Sequence, residues 1–238
     1  MFPSCDVKVK VWGEYACFTR PEFKVERVSY PVITPSAARG VLEAIFWKPE
    51  FRWEVREIWV LNEVREEVIV RNEIESRQSP RAKCIIEEQH QQRATLFIKN
   101  PSYLLFADIA LKEFVDSPKK KYIEQFNRRV EKGKCFHQPY LGTRECTAFF
   151  GPPDGTEKPA TLNIATGNML FDIAFCENTE KRELTFLKKK DGSSSVEVGG
   201  FVKPLVFAAE VRDGILKIPP QKYDELYRQE GVHVKRAG

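Results

Sequence analysis

Hydrophobic and polar positions change their spacing twice within the first 60 residues. In residues 6–12 every second residue is a valine, which predicts a β-strand with one buried face. From Thr34 the apolar residues follow helical spacing, so we predict a helix that Thr34 caps and whose first turn contains Pro35. Its buried stripe consists of Ala38, Val41, Leu42 and Ile45. Residues 51–61 return to the spacing of a strand.

A polar insertion is predicted between the strands that follow. Residues 63–74 either continue the strand before them or form a second one. Residues 71–92 are polar and contain Pro80, so we predict a loop or hairpin that projects from the body of the protein. Residues 93–111 predict a strand, a turn at Asn100 and Pro101, and another strand.

Residues 117–134 predict a helix whose charges are oddly placed. Ser117 suits the N-cap, Pro118 the first helical position and Gly133 the C-terminal stop. The apolar stripe is Tyr122, Phe126 and Val130. The first turn holds Lys119, Lys120 and Lys121. The positive end of the helix dipole makes each lysine unfavourable there by about 0.3–1 kcal/mol, unless an anion such as a phosphate lies beside the helix start.

The order of these elements predicts an α+β fold. Residues 135–150 predict a strand, a turn at Gly142 and a strand, which completes a βαββαβ pattern typical of ferredoxin-like (RRM- or RAMP-like) domains. Residues 151–159 are rich in turn residues, and short strands follow, with a flexible loop at 191–200. We therefore predict a ferredoxin-like domain at 1–150, with a projecting β-hairpin at 71–92, and a small antiparallel β-sheet domain at 151–238.

Composition adds a concentration of positive charge to this picture. Of the 238 residues, 42% are hydrophobic and 30% charged, as in soluble globular proteins. No apolar stretch approaches the roughly 18 residues of a membrane span. The net charge is +4, but residues 118–134 hold seven Lys/Arg and two Glu, so this segment carries +5 and the remainder −1. A polyanion-binding face and a solvated helix face both explain that charge.

Motifs for metals and nucleotides are missing from the sequence. The six cysteines include no CxxC pair, which is typical of reduced thiols in a cytosol. His90, His137 and His233 are far apart and have no ligand partner at short spacing. There is no GxGxxG, P-loop or GxSxG pattern. We therefore expect no metal and no cofactor.

Aromatic residues near the first strand point towards RNA. Trp12 lies opposite the presumed core face and Tyr15 follows shortly after, where RNA bases stack on four-stranded sheets. Core packing is the alternative explanation for such aromatic residues. Arg39 is another candidate contact, although Glu43, one turn further on, offers a helix-surface ion pair worth about 0.5 kcal/mol.

RNA cleavage is the reaction that such a surface can perform without a metal. The ribose 2′-OH attacks the adjacent phosphate when a base takes its proton and cations stabilise the developing charge. Lys120 and Lys121 can supply the cations, and Tyr122 is the nearest candidate base. Core anchoring through the apolar stripe explains Tyr122 better than catalysis does.

Four stretches of the sequence together resemble one protein family. They are residues 11–49 (VWGEYACFTRPEFKVERVSYPVITPSAARGVLEAIFWKP), 71–74 (RNEI), 91–104 (QQRATLFIKNPSYL) and 140–146 (YLGTREC). Their order and spacing resemble the Cas5 family, the small RAMP-superfamily subunit of type I-C CRISPR systems that processes CRISPR RNA (crRNA). The resemblance covers the first 150 residues or so, and the C-terminal third matches loosely.

This resemblance implies a fold, a reaction and a set of partners. The fold is the one predicted above. The implied reaction is metal-independent cleavage of pre-crRNA at the base of the repeat hairpin, after which the protein stays on the 5′ handle. The implied partners are pre-crRNA, mature crRNA, the backbone RAMP subunits and the large subunit of the surveillance complex. Target DNA is left open as a further partner, no membrane is involved, and the implied location is the bacterial cytoplasm.

The catalytic residues that the resemblance implies are only partly present. Characterised relatives use a tyrosine late in the first helix and an adjacent Lys-His pair further on. Here Phe46 stands at the tyrosine position and Lys121 at the histidine position, while Lys120 carries over directly. His137 offers a titrating group, although a lone histidine before a strand is more often structural.

We therefore predict a crRNA-processing endoribonuclease with Lys120, Lys121 and Tyr122 as catalytic residues. The predicted RNA contacts are Trp12, Tyr15, Arg39, Lys119, Arg128 and Arg144. A non-catalytic subunit that binds the crRNA handle is the alternative. A small-molecule enzyme on the same fold is a third hypothesis, and it predicts no affinity for RNA.

Overall fold

A computed structural model describes residues 3–23, 25–74, 90–189 and 195–235. Within these residues the strands are β1 (Val7–Trp12), β2 (Tyr15–Ala16), β3 (Arg27–Val28), β4 (Phe51–Val60), β5 (Arg65–Ile74), β6 (His90–Lys99), β7 (Ser102–Leu111), β8 (Phe149–Gly151), β9 (Ile164–Glu177), β10 (Leu184–Lys189), β11 (Ser195–Arg212) and β12 (Ile215–Lys217). The helices are α1 (Pro35–Ile45), α2 (Lys119–Glu131) and α3 (Gln221–Glu230). No helix in the described part of the chain has the length and apolar character needed to cross a membrane.

The predicted βαββαβ order forms the centre of the larger sheet. Strands β4, β7, β1 and β8 are neighbours in that order, and each neighbouring pair is antiparallel. Helices α1 and α2 cover one face of this sheet, where the Trp53 ring of β4 lies 4.9 Å from the Phe126 ring of α2. The order and the antiparallel pairing are those of a ferredoxin-like domain. The predicted fold class is confirmed.

Local sequence signals explain where β1 and α1 lie. The three valines of β1, Val7, Val9 and Val11, are buried. Thr34 caps α1 as predicted, since its hydroxyl accepts a hydrogen bond from the N–H of Ala37 at 3.2 Å. The predicted stripe of α1 is buried against the sheet. Both elements therefore follow from hydrophobic spacing and one capping residue.

Helix α2 begins one residue later than the sequence predicted. Its N-cap is Pro118, which has no side-chain acceptor, so the prediction that Ser117 caps the helix was wrong. The predicted stripe of Tyr122, Phe126 and Val130 is buried, and Gly133 ends the helix with a positive φ of 59°. The start of α2 is consequently left without a capping side chain.

The polar insertion forms a second, four-stranded sheet. Strands β5 and β6 pair antiparallel over their full length, and β6 also pairs with β2 and, in parallel, with β3. Of the two alternatives left open for residues 63–74, the separate strand is the correct one. The predicted hairpin at 71–92 has its two arms in β5 and β6, while residues 75–89 lie outside the described residues. The chain enters β7 through Asn100, whose φ is +49°.

Two segments differ from the sequence prediction. Residues 135–148 contain an isolated bridge between Tyr140 and Thr147 instead of two strands, and the Leu141 carbonyl accepts a hydrogen bond from the N–H of Cys17, just after β2. Gly142 has a φ of +89°, and a Cβ there would lie 2.0 Å from the carbonyl oxygen of Cys17. The prediction of a loop at 191–200 is wrong for residues 195–200, because these residues belong to β11 and pair with β10. Residues 190–194 lie outside the described residues.

The C-terminal strands extend the central sheet. Strand β11 pairs antiparallel with both β9 and β10. Strand β12 pairs with β4 at the edge of the ferredoxin-like core. Helix α3, which the sequence analysis missed, packs against β9. Its buried residues, Tyr223, Leu226, Tyr227 and Glu230, have helical spacing but include polar atoms. The division of the chain at residue 150 stays a prediction.

Candidate functional site

The start of α2 is anchored by one ion pair. The ammonium of Lys119 lies 2.7 Å from Oδ2 of Asp6, and the same oxygen accepts a hydrogen bond from the N–H of Ile109 at 2.8 Å. Part of the unfavourable charge at the helix start is therefore neutralised within the protein. Lys119 has a structural role, and its predicted contact with RNA competes with Asp6.

The next two lysines lie on different faces of α2. Each residue turns an α-helix by about 100°, so Lys121 shares a face with Gln125 and Arg128, whereas Lys120 points away from them. Lys120 is 84% exposed and its ammonium lies 3.9 Å from the exposed Glu124. Lys121 is exposed, and its ammonium lies 5.7 Å from the ring centre of Tyr122. Both lysines can attract an anion, but from different directions.

Tyr122 belongs to the core. Its side chain is 3% exposed and its ring lies 5.4 Å from the ring of Phe51. A base for RNA cleavage must reach the 2′-OH of the substrate, which a buried side chain does not do. The structure therefore supports the core-anchoring explanation and argues against Tyr122 as the base.

The end of α1 collects several segments that are distant in sequence. The last carbonyls of a helix need partners outside the helix. Here the Ala44 carbonyl accepts hydrogen bonds from the N–H groups of Phe136 at 2.7 Å and His137 at 3.3 Å, and the Ile45 carbonyl accepts one from Nε of Arg129 at 2.7 Å. These bonds hold part of α2 and residues 136–137 around the C-terminus of α1.

Phe46 follows α1 at this meeting point. Its side chain is 5% exposed, packs 5.7 Å from the ring of Phe51, and borders a pocket of about 190 Å³. The other residues that line this basic pocket are Gln125, Arg128, Arg129, Lys132 and Lys134. Phe46 has no hydroxyl, so it cannot donate or accept a proton, but four cations surround the pocket next to it.

His137 is bound through its backbone to the end of α1. It is exposed, and its ring lies 5.9 Å from the ring of Phe136. Its backbone N–H donates a hydrogen bond to the carbonyl of Ala44, and Ala44 precedes Phe46 by two residues. Local sequence patterns pointed to His137 but could not place it at the end of α1, because that contact joins residues that are distant in sequence.

Arg39 is held by two carboxylates, which argues against its predicted contact with RNA. Its guanidinium donates to both carboxylate oxygens of Asp172, at 2.7 and 2.8 Å, and to Glu43 at 2.8 Å. Burial by itself would lower the pKa of Arg39, but the two carboxylates outweigh that effect and raise it. The ion pair with Glu43 that the sequence offered as the alternative is present, and Asp172 of β9 adds a second one.

The predicted aromatic contacts lie apart from the lysines. Trp12 is 38% exposed and its ring stacks on that of Phe149 at 6.3 Å. Tyr15 is half-buried and donates its hydroxyl to Glu67 at 3.3 Å. Asp6, the partner of Lys119, is separated from Trp12 by the length of β1, about 20 Å. The predicted aromatic contacts and the lysines of α2 therefore do not form a single site.

Two further predicted contacts are exposed arginines. Arg128 lines the basic pocket, and Arg144 lies in the segment at residues 135–148. The neighbour of Arg144, Glu145, pairs with Arg27 at 3.2 Å and with Arg71 at 2.8 Å. Burial raises the pKa of Glu145, but hydrogen bonds from the backbone and from Arg71 outweigh this and lower it. Arg144 and Arg128 remain predicted RNA contacts.

The described residues contain no group of three His, Cys, Asp or Glu side chains arranged to hold a metal ion. The candidate site consists of cations from α2 and of His137, which is bound to the end of α1. Such a set can bind a phosphate and exchange a proton.

Comparison with known proteins identifies close relatives over nearly the whole chain. The family described as CRISPR-associated protein Cas5, in its Cas5d group, matches residues 6–172. The CRISPR pre-crRNA endoribonuclease Cas5d of Thermus thermophilus is 53% identical, over 97% of this chain and 99% of the relative. The protein of the same name from Mannheimia succiniciproducens is 38% identical, over 93% of this chain and 98% of the relative.

Two solved structures share the fold. A crystal structure described as that of a CRISPR-associated protein has a TM-score of 0.62 and 21% identity, covering 90% of this chain and 92% of its own. A protein from Streptococcus mutans, described as functionally uncharacterized, has a TM-score of 0.60 and 19% identity, with the same coverage. These two likenesses support the fold alone.

Proposed function

The chain belongs to the CRISPR-associated Cas5 family, and from that membership we propose that it cuts precursor CRISPR RNA. The two relatives at 53% and 38% identity both carry the name pre-crRNA endoribonuclease. The observation that carries the proposal is the run of cations along α2, next to the end of α1, where the backbone of His137 is also bound. This arrangement supplies an imidazole side chain and an anion-binding surface, which are the groups that metal-independent RNA cleavage needs.

The proposed reaction needs no metal. A base removes the proton from a ribose 2′-OH, the oxygen attacks the adjacent phosphorus, and the bond to the 5′-oxygen of the next nucleotide breaks. The products are a 2′,3′-cyclic phosphate and a 5′-hydroxyl, which takes up a proton. Lys121 stabilises the charge on the phosphorane oxygens, whereas Lys120, on another face of α2, adds only to the positive potential around the site. Since Tyr122 is buried and Phe46 has no hydroxyl, His137 is our candidate for the acid–base group.

The proposal extends to the assembly in which the protein works. We infer that it cuts at the base of the repeat hairpin and then remains bound to the 5′ handle of the crRNA. In that position it contacts the backbone RAMP subunits and the large subunit of a type I-C surveillance complex, with target DNA as a later partner. A bacterial cytoplasmic location fits this role.

Incubation of the purified protein with repeat RNA in EDTA tests the reaction. We expect a single cut below the hairpin, because neither nucleophile nor base is a metal-bound water. A matched RNA with one 2′-deoxy nucleotide on the 5′ side of the cut should be bound with the same affinity and remain uncut. The measurement is the fraction cleaved on a denaturing gel.

Each outcome of this assay separates two functions. Binding without cleavage at every pH between about 6 and 9, where imidazole and activated amines titrate, would contradict cleavage and favour the non-catalytic handle-binding subunit. RNA binding that is absent, or that does not weaken with salt, would contradict both, since phosphate contacts make affinity fall steeply with ionic strength.

The two exposed lysines at the start of α2 should differ in their effect on cleavage. We expect Lys121→Gln to slow single-turnover cleavage about tenfold, because Lys121 shares a helix face with the basic pocket and no carboxylate of the described residues pairs with it. Lys120→Gln is the matched control, with the same charge loss one position away, and should slow cleavage no more than about threefold. Equal losses from both variants would contradict the placement of the scissile phosphate on the Lys121 face.

A further inference from the structure

The basic pocket next to Phe46 has no negative charge in its lining. Three cations in it, Arg128, Lys132 and Lys134, form no ion pair with any carboxylate in the described ranges, and the fourth, Arg129, donates to a backbone carbonyl. Elsewhere in the described chain most arginines pair with acids, as Arg39 and Arg56 do. The pocket therefore presents charge without an internal partner.

Helix stability explains only part of this cluster. Cations in the last turn of a helix interact favourably with the helix dipole, which accounts for Arg128 and Arg129. Lys134 follows Gly133, beyond the end of the helix, and gains little from the dipole. Bringing four like charges around one small pocket is unfavourable unless an anion enters it.

The position of the pocket relates it to the proposed reaction site. Lys121, Gln125, Arg128 and Lys132 follow one another along a single face of α2 at the spacing of neighbouring turns. With a rise of about 1.5 Å per residue, Arg128 and Lys132 lie about 10 and 16 Å from Lys121 along the helix axis. An RNA strand that passes Lys121 therefore reaches the pocket more than one nucleotide away from the cut.

We propose that the basic pocket binds one backbone phosphate of the substrate RNA, on the strand that leads away from the cut. The inference rests on the proposed function and adds a second phosphate subsite to it. At about 190 Å³ the pocket is smaller than the roughly 300–1,000 Å³ of typical small-molecule sites, so it holds a phosphate group and excludes a whole nucleotide. The guanidinium of Arg128 suits phosphate oxygens because its N–H groups bind them in pairs.

The test compares wild type with the double variant Arg128→Gln/Lys132→Gln. We expect the Kd for an uncut 2′-deoxy repeat RNA to rise about tenfold or more. We also expect the slope of log affinity against log salt to fall by about 0.7 for each phosphate that the variant no longer neutralises. The cut position should not change. Fluorescence anisotropy at a series of salt concentrations measures the affinity and the slope.

A matched control removes the same charges elsewhere. Arg212→Gln/Lys217→Gln takes one exposed arginine and one exposed lysine from β11 and β12, where they are 76% and 78% exposed. This control should change the Kd no more than about twofold. Equal losses in the two double variants would mean that only the overall charge matters, and would overturn the phosphate site. Thermal melting of each variant checks that it is folded.

A second measurement identifies the contact directly. In a set of RNAs that each carry one neutral methylphosphonate linkage, one linkage near the cut should weaken binding to wild type several-fold. The same linkage should cost the Arg128→Gln/Lys132→Gln variant nothing further, since its partner cations are gone. Identical profiles for both proteins would overturn the inference and indicate that the pocket serves another anion, such as an acidic protein segment.

Different results would contradict the proposed function and the proposed phosphate site. If wild type binds and cuts repeat RNA while the double variant is indistinguishable from it, the phosphate site is wrong and the proposed function stands. If wild type neither binds nor cuts repeat RNA, both are overturned.

Discussion

Replacing His137 by glutamine should lower the single-turnover rate of repeat-RNA cleavage by about 100-fold, within the range of positioned acid–base groups. The RNA affinity should stay within about twofold of wild type. His137 is exposed and its backbone is bound to the last turn of α1. Glutamine keeps a polar side chain of similar length but does not exchange a proton near neutral pH.

The pH profile distinguishes catalysis from a structural role of His137. Because His137 exchanges a proton in the proposed reaction, the wild-type rate should vary with pH, whereas the glutamine variant should give a flat profile. Added imidazole should partly restore cleavage by a His137→Gly variant. A parallel loss of affinity, or an unchanged pH profile, would show that His137 only shapes the site.

The same substitution at another exposed histidine provides the control. His233 lies after α3 and lines a different, larger groove of about 950 Å³ with Trp47 and Phe114. His233→Gln should leave the cleavage rate within about twofold of wild type. A comparable loss there would move the candidate acid–base group from the end of α1 to that groove.

Replacing Arg39 by alanine should destabilise the protein by about 3 kcal/mol, because it leaves the carboxylate of Asp172 buried without its partner. Asp172 is 4% exposed and accepts two hydrogen bonds from Arg39, which joins α1 to β9. The denaturant midpoint at constant m-value measures the loss. Since Arg39 lies outside the candidate site, cleavage by the folded fraction should be unchanged at low temperature.

Two companion variants define the cause of this loss. Glu43→Gln removes the half-exposed partner one turn away and should cost only about 0.5 kcal/mol. The double variant Arg39→Met/Asp172→Leu removes both charges, and should recover most of the stability that Arg39→Ala loses. A double variant as unstable as Arg39→Ala would indicate that lost packing, and not the unpaired carboxylate, is responsible.

Local spacing was enough to predict the elements of the ferredoxin-like core. The alternation in β1, the cap at Thr34 and the stripe of α2 each depend on residues within about a dozen positions of one another. The same reasoning failed for residues 135–148, whose backbone bonds to Ala44 and Cys17 instead of forming two strands, and for α3, whose polar composition hides its helical spacing. In both cases packing against a distant element decides the local structure.

The sequence by itself determined the fold class, the family and the concentration of positive charge on α2. Only the tertiary structure decided which cations of the protein are available to a ligand. Arg39 is neutralised by Asp172, 133 residues away, and Lys119 by Asp6, 113 residues away. Arg129 and His137 are bound to the end of α1 because the last carbonyls of that helix need donors from elsewhere in the chain. Hydrophobic periodicity carries no information about such partners, because burial fixes which face packs but not which distant charge lies opposite.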